Sequence, residues 1–430
     1  MEEKMEKRIQ EKDDNITDEW KIYLYMLRNA IYGTNLETEK LASFQKVAVA
    51  QLADRANKNG QRVLLSRYLS EYAQYTGEEW EEPSGYKTFA ILKEYDKYKC
   101  LRDLMKLSRE QGLHFVIFKG CVLANLYPQY AERISCDSDI FIDKEEKEQA
   151  LKLLYAYGYE KNEEHSKGEV TVLMHYKRYH TIELHTCLWE DYTGKRLSIL
   201  DSFELTKESK RITLNTCGFD VTTFGYQEHL IYQLFHIIKH FSLQGVGMKY
   251  LADITLYVNA YGQYIDYNDF WEKMDKLGYT KFCYYLFVIC AEYLGMNSDI
   301  LAGKEMTMGA ELYGFMQDLL QVGNSSDGGQ ESWQIFGTLT PYFTGEKMTS
   351  SSRWKRRLEV LFPRAEDLRD DFAYAREHKI LLPIAWVHKI VMYLVKYQKH
   401  KGEWYNASQK LNAAEYRIGL MNDMGLIEEA

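Results

Sequence analysis

The sequence predicts an α+β protein in which a small mixed sheet with helices is flanked by N-terminal and C-terminal helical regions. Apolar residues recur at steps of three and four along the first 110 residues and again from residue 226, which is the period of an amphipathic helix. Between these regions the pattern changes to short apolar or alternating runs bounded by glycine and proline, which favour strands. The predicted regions are 1–110, helical; 111–225, the αβ core; and 226–430, helical.

The N-terminal region carries two clear helical segments. One runs from Trp20 to Met26 and the other from Phe89 to Tyr95, each with apolar residues on one face. We interpret both as parts of a packing bundle that stabilises the chain without contributing chemistry.

The central region opens with an unbroken apolar run from His114 to Phe118, which predicts a buried strand ending at Lys119-Gly120. Turn residues and changes of period divide the rest. The predicted elements are a strand at 114–118, a helix at 121–126, a strand at 138–142, a helix at 144–157, an antiparallel pair at 170–176 and 179–188, and a hairpin at 211–224. C-terminal helices are predicted near 226–242, 248–261, 267–277, 281–294, 305–322, 353–360 and 384–397.

Composition excludes several classes of protein. A formal net charge of −9 gives no global basic field for nucleic acid or anionic membranes, so nucleic acid is not an expected partner, although a local basic pocket stays open. Seven cysteines without a CxxC pair argue against a disulfide framework and a cysteine-rich zinc site. The charged N-terminus lacks an apolar secretory segment, and no run approaches the roughly 20 apolar residues that span a bilayer. We therefore expect a cytoplasmic protein with no membrane partner.

Three acidic residues stand in or beside predicted strands. Asp137 and Asp139 are two residues apart at the start of one strand, so strand alternation puts both carboxylates on the same face. Glu183 lies inside another β-type run between apolar neighbours, where a charge must face solvent or find a partner. If the two strands are adjacent, the three carboxylates converge.

Converging carboxylates repel one another, and a divalent cation relieves the repulsion. Mg²⁺ or Mn²⁺ prefers carboxylate oxygens and shares its remaining positions with water and substrate phosphates. Two such ions about 4 Å apart would activate an attacking hydroxyl and stabilise a leaving pyrophosphate. The glycine turn at Gly120, at the start of a helix, is a suitable place for phosphate oxygens.

This order of strand, glycine turn, helix and acidic strand resembles the nucleotidyltransferase superfamily that includes DNA polymerase beta and kanamycin nucleotidyltransferase. It resembles more closely a bacterial family of uncharacterised nucleotidyltransferases, whose members show a KG, a YP, an arginine and a D-x-D strand. The matching residues are Lys119-Gly120, Tyr127-Pro128, Arg133, Asp137-Ser138-Asp139, Ile182-Glu183-Leu184-His185, His236, Lys239, His240 and Asp253-Ile254.

The resemblance implies a fold and a set of roles. The sheet would be nucleotidyltransferase-like, and an NTP would donate a nucleotidyl group to an unidentified acceptor with Mg²⁺ or Mn²⁺ as cofactor. Asp137, Asp139 and Glu183 would bind the metal, and Glu183 would also assist deprotonation of the acceptor. The residues implied to face the nucleotide are Lys119, Gly120, Arg133 and Lys239.

Four further residues are auxiliary candidates. His185 follows Glu183 on the same strand face, where it would orient a metal-bound water or satisfy a core hydrogen bond. His236 and His240 lie four residues apart on one helix, with packing or phosphate-facing roles favoured over zinc because no HExxH glutamate lies between them. Asp253 is expected to pair with one of these histidines or to form an ordinary buried ion pair.

Two other functions stay open from the sequence. The chain could keep the fold without catalysis, as a binding or regulatory component of a toxin–antitoxin or biosynthetic system. It could also be a hydrolase built on His236, His240 and Asp253, in which case zinc or manganese would stay bound through purification.

Overall fold

The computed structural model describes residues 16–322 except 84, 167, 190–193, 244, 305 and 307, and of the remainder 362, 365, 372, 374–375, 378–399, 416 and 418–427. The chain divides into two compact units, one formed by residues 1–239 and 245–326 and the other by residues 240–244 and 327–430. The predicted boundaries near residues 110 and 225 fall inside the first unit. Within the described residues, every helix is too short or too polar to cross a bilayer.

The N-terminal part of the first unit is helical, as predicted. Its first helix ends at Gly33, whose φ of 69° is the left-handed conformation that glycine adopts without strain. Residues 1–15 lie outside the described residues. The helices are α1 Asp18–Tyr32, α2 Thr38–Ala42, α3 Val49–Lys58, α4 Arg62–Thr76 and α5 Tyr86–Glu110.

A five-stranded mixed sheet follows, with strand order β1-β2-β5-β4-β3. β2 pairs in parallel with β5, and the other neighbours are antiparallel. This confirms the predicted mixed sheet. The elements are β1 Val116–Phe118, α6 Gly120–Ala124, β2 Asp137–Phe141, α7 Lys147–Tyr157, β3 Glu160–Lys161, β4 Val170–His175 and β5 His180–His185.

Strand alternation divides the sheet into a core face and a polar face. Ile140, Ile182 and Leu184 are fully buried in one cluster with Leu104 of α5 and Leu154 of α7. Burying each such side chain contributes about 1.5–3 kcal/mol, which fixes the orientation of the strands. The intervening residues of β2 and β5 therefore point to the opposite face of the sheet.

The rest of the first unit is a predicted hairpin followed by helices. The helix predicted from residue 305 begins only at Ala310. Gly309 lies just before it, and glycine destabilises a helix when it lies in the interior. These elements are α8 Gly194–Ser202, β6 Ile212–Thr216, β7 Phe219–Thr223, α9 Tyr226–Leu243, α10 Met248–Tyr261, α11 Tyr267–Leu277, α12 Thr280–Leu294 and α13 Ala310–Val322. The last residues of α9, from 240 onward, belong to the second unit.

The second unit contains the predicted helix near residues 384–397, observed as α14 Leu382–Lys399. Phe372, Ala375 and Ala385 form a small buried cluster in this unit. The helix predicted at 353–360 lies outside the described residues.

Candidate active site

The parallel pairing of β2 and β5 brings the predicted acidic residues together. Asp139 stands directly opposite Glu183 in the register, and both point to the polar face. His185 follows on the same face. One ligand atom from each of Asp139, Glu183 and His185 lies within 4.8 Å of the other two, so the three side chains converge on one point.

Asp137 precedes this group on the same face of β2. Its carboxylate is not one of the three converging donors among the described side chains. Burial raises the pKa of Asp137, and the neighbouring charges of Asp139 and Glu183 raise it further. Asp137 therefore shares the negative field of the centre, although it lies at its margin.

Lys119 neutralises part of this field. Its Nζ lies 2.8 Å from Oδ1 of Asp139, with the lysine side chain 13% exposed and the aspartate 4%. Burial alone would lower the pKa of Lys119, but the Asp139 carboxylate holds it above its ordinary value. Burial alone would raise the pKa of Asp139, but Lys119 and a hydrogen bond from His185 hold it below its usual range. The pair is therefore charged at neutral pH.

The backbone of Lys119 adopts a conformation that L-residues rarely take. Its φ of 52° and ψ of −120° lie in a region that glycine favours, and such strain costs about 1–3 kcal/mol. The amide N–H of Lys119 donates to Nε2 of His229 at 3.0 Å. His229 is fully buried on α9, so this hydrogen bond helps to hold the strained backbone of Lys119 in place. No pattern in the sequence singles out His229.

The burial of neutral His229 should make the folding stability depend on pH in the acid range. Burial and the nearby Lys119 lower the pKa of His229 to about 3, from about 6.5 in an unfolded chain. Between these values the unfolded state binds more protons, so stability is lost as the pH falls from about 6.5 to about 3. We expect the His229→Gln variant, whose amide oxygen can accept the same N–H, to lose less stability over that range. Denaturant unfolding at several pH values measures this, and parallel curves for the two proteins would contradict it.

Gly120 is the first residue of α6 and follows Lys119 directly. It is buried, yet a Cβ atom built on it would meet no atom within 4 Å apart from its two chain neighbours and the backbone of α6 itself. The turn thus leaves space that a side chain would fill, next to the Lys119 backbone. This is the feature expected where a ligand approaches the main chain closely.

The part of the chain that forms this site is similar to a known protein family. Residues 90–295 match the model of a family described as uncharacterised nucleotidyltransferase. The family model thus covers a little under half of the chain, and we call residues 90–295 the nucleotidyltransferase segment. No curated protein and no solved structure matches the chain. The matched nucleotidyltransferase segment begins within α5, ends at the glycine after α12, and contains all the site residues described above.

Arg133 of the nucleotidyltransferase segment is held in a buried ion pair. Its Nε donates to Oδ1 of Asp253 and its Nη2 donates to Oδ2, both at 2.7 Å, and the two side chains are 6% and 4% exposed. Tyr127 also donates to Asp253, at 2.8 Å. The expected pairing of Asp253 with a histidine is therefore wrong, and the alternative of a buried ion pair is observed. The reason is geometric, since the planar guanidinium matches both carboxylate oxygens.

The third nitrogen of Arg133 connects this ion pair to the glycine turn. Nη1 of Arg133 donates to the carbonyl oxygen of Gly120 at 3.3 Å. Since Asp253 is on α10, the network fastens α10 to the turn that carries Lys119. Asp253, which the hydrolase alternative would need as a ligand, accepts hydrogen bonds from Arg133 and Tyr127, and that alternative stays a prediction.

His236 lies at the border of the acidic centre, beside Lys119. Its Nδ1 is 3.5 Å from Nζ of Lys119, and its ring lies 6.2 Å from that of Tyr232 and 5.6 Å from that of Tyr250. Lys239 and His240 follow on the next turn of α9 and are partly exposed. Their predicted roles toward a nucleotide stay predictions.

Two lysines, of which Lys97 is buried and Lys249 is half-buried, hold the loop that leads into β2. Nζ of Lys97 donates to the carbonyl oxygen of Ser135 at 3.0 Å, and Nζ of Lys249 donates to that of Ile134 at 2.7 Å. Burial lowers the pKa of Lys97, and burial together with Arg133 lowers the pKa of Lys249 to about 8. Lys97 was not predicted from the sequence, because a lysine inside an amphipathic helix is normally solvated.

Proposed function

We propose that this chain transfers a nucleotidyl group from an NTP to an acceptor hydroxyl or phosphate, with Mg²⁺ or Mn²⁺ as cofactor. The observation that carries this proposal is the register of β2 and β5, which puts Asp139 opposite Glu183 inside the nucleotidyltransferase segment. Nucleotidyl transfer is the reaction that best accounts for acidic residues beside an open glycine turn.

The side chains of the centre fit a divalent cation. Three donor atoms lie within 4.8 Å of one another, and two of them are carboxylate oxygens, which hard cations prefer. Asp137, Asp139 and Glu183 bring three negative charges, of which Lys119 offsets one. A bound cation would supply Lewis-acid stabilisation of the charge that develops on the transferred phosphate.

The remaining site residues have complementary roles in the proposal. Gly120 leaves room for the triphosphate beside the main chain, and the ammonium of Lys119 attracts its oxygens. Glu183 is 34% exposed, against 4% for Asp139, so it is the more accessible base for the acceptor proton. Arg133, expected from the sequence to face phosphate, instead positions Gly120 and α10 in our proposal, because Asp253 already binds its fork.

Calorimetry with a nonhydrolysable NTP tests the proposal directly. We expect binding in the presence of Mg²⁺ or Mn²⁺ and at least about a tenfold weaker affinity when the cation is chelated, because phosphates and carboxylates repel without it. Incubation with an α-labelled NTP and cell extract should then transfer label to an acceptor. Nucleotide binding without transfer would favour the non-catalytic alternative, and the absence of cation-dependent binding would reject nucleotidyl transfer.

A further inference from the structure

The imidazole of His185 is placed like a metal ligand. Its Nε2 lies 3.2 Å from Oδ1 of Asp139 and 3.6 Å from Oε2 of Glu183. Donor atoms bound at about 2.1 Å and at right angles around one ion lie about 3 Å apart. The three atoms therefore need only small shifts to share one cation.

The orientation of this ring is fixed by the fold. His185 is the last residue of β5, two positions after Glu183, so alternation gives both side chains the same face. The ring packs edge-on against Phe118, with centroids 5.4 Å apart, and the side chain is 8% exposed. A ring restrained in this way presents Nε2 to the carboxylates without a large loss of conformational entropy.

Lys119 does not prevent such ligation. A carboxylate has two oxygens and about four lone-pair sites, so Asp139 can bind the lysine ammonium and a cation together. The side chain of Glu183 is 34% exposed, so it can also adjust its position to bind the ion. One nitrogen and two carboxylates are thus available to a single ion.

We propose that His185 binds the catalytic cation directly, and that Asp139, Glu183 and His185 together select Mn²⁺ over Mg²⁺. This inference rests on the proposed function and names its cofactor and ligand set. Mg²⁺ prefers an octahedron of oxygens with several waters, whereas imidazole nitrogen suits first-row transition-metal ions. Mn²⁺ accepts both kinds of donor, so a mixed set favours it over Mg²⁺.

Titration of the full-length, metal-free protein with each ion alone tests the selectivity. We expect Mn²⁺ to bind at least about tenfold more tightly than Mg²⁺, and this ratio to fall to about threefold or less in the His185→Asn variant, in keeping with the usual effect of losing one metal-site interaction. His165→Asn serves as the matched control, since His165 is exposed in the turn between β3 and β4. Equal affinities for the two ions in the unsubstituted protein would overturn the proposal.

A spectroscopic measurement does not depend on whether the variant folds. The electron spin echo of Mn²⁺ bound to the unsubstituted protein should show modulation from a directly coordinated ¹⁴N nucleus. A spectrum without nitrogen coupling would overturn the ligand assignment.

The two proposals fail separately. Mn²⁺ bound through nitrogen without any affinity for NTP would reject nucleotidyl transfer and keep the ligand assignment. Cation-dependent NTP binding without nitrogen coupling would do the reverse.

Discussion

Replacing Asp137 with asparagine is expected to reduce nucleotidyl labelling by about a thousandfold or more while thermal stability stays the same or rises. The catalytic loss corresponds to about 4 kcal/mol of transition-state stabilisation, because Asp137 contributes one of the three negative charges that would attract the cation. The stability result follows from the pKa of Asp137, which burial and the charge of Asp139 raise. A pKa that folding raises means that the ionised carboxylate opposes folding, and asparagine removes that charge.

Labelling with α-labelled NTP and thermal unfolding, measured on the same preparation, check this prediction. Asp220→Asn is a matched control, because Asp220 is an exposed residue of β7 and should change neither quantity. Full labelling by Asp137→Asn would show that this carboxylate is not needed. Loss of labelling together with a large fall in unfolding temperature would instead indicate structural damage.

The largest effect on folding is expected for Asp253→Ala. This change leaves the Arg133 guanidinium buried without its carboxylate, and breaking a buried pair in this way costs about 3–5 kcal/mol. Tyr127 would lose its acceptor as well. Denaturant unfolding measures the change, and we expect the midpoint to fall without a large change in the slope.

Two further variants show whether the loss of stability comes from the missing ion pair or from the unpaired buried charge of Arg133. The double variant Arg133→Met, Asp253→Leu replaces both partners with apolar groups of similar size, so it should recover most of the lost stability. Asp54→Ala breaks an exposed ion pair with Lys58, in which the side chains are about 60% exposed, and should cost less than about 1 kcal/mol. An Asp253→Ala protein as stable as Asp54→Ala would show that the buried pair contributes little.

The sheet and its acidic face were predictable because strand alternation is a local rule. Asp137 and Asp139 share a face whatever the rest of the chain does, and the apolar runs around Glu183 indicate a second strand. The adjacency of these strands was a hypothesis from the sequence, and the parallel pairing confirms it. The helical flanks were predictable from the spacing of the apolar residues alone, with errors of a few residues at helix ends such as the start of α13.

The partners of the site residues were not predictable, because they depend on contacts between distant segments. Arg133 and Asp253 are 120 residues apart, and Lys119 and His229 are 110 residues apart. Nothing in the local sequence marks His229 as an acceptor for a main-chain amide. The same holds for Lys97, whose buried contact with Ser135 requires the packed position of α5.

The register of β2 against β5 restricts the positions at which residues can be inserted or deleted in this chain. Inserting one residue within β2 ahead of Asp139 would turn its carboxylate toward Ile182 and Leu184, where an unpaired charge is prohibitive. Length changes in the turn that joins β3 to β4 leave the alternation of β2, β4 and β5 intact. Relatives of this chain should therefore tolerate insertions and deletions in that turn, while the number of residues inside each of these strands stays constant.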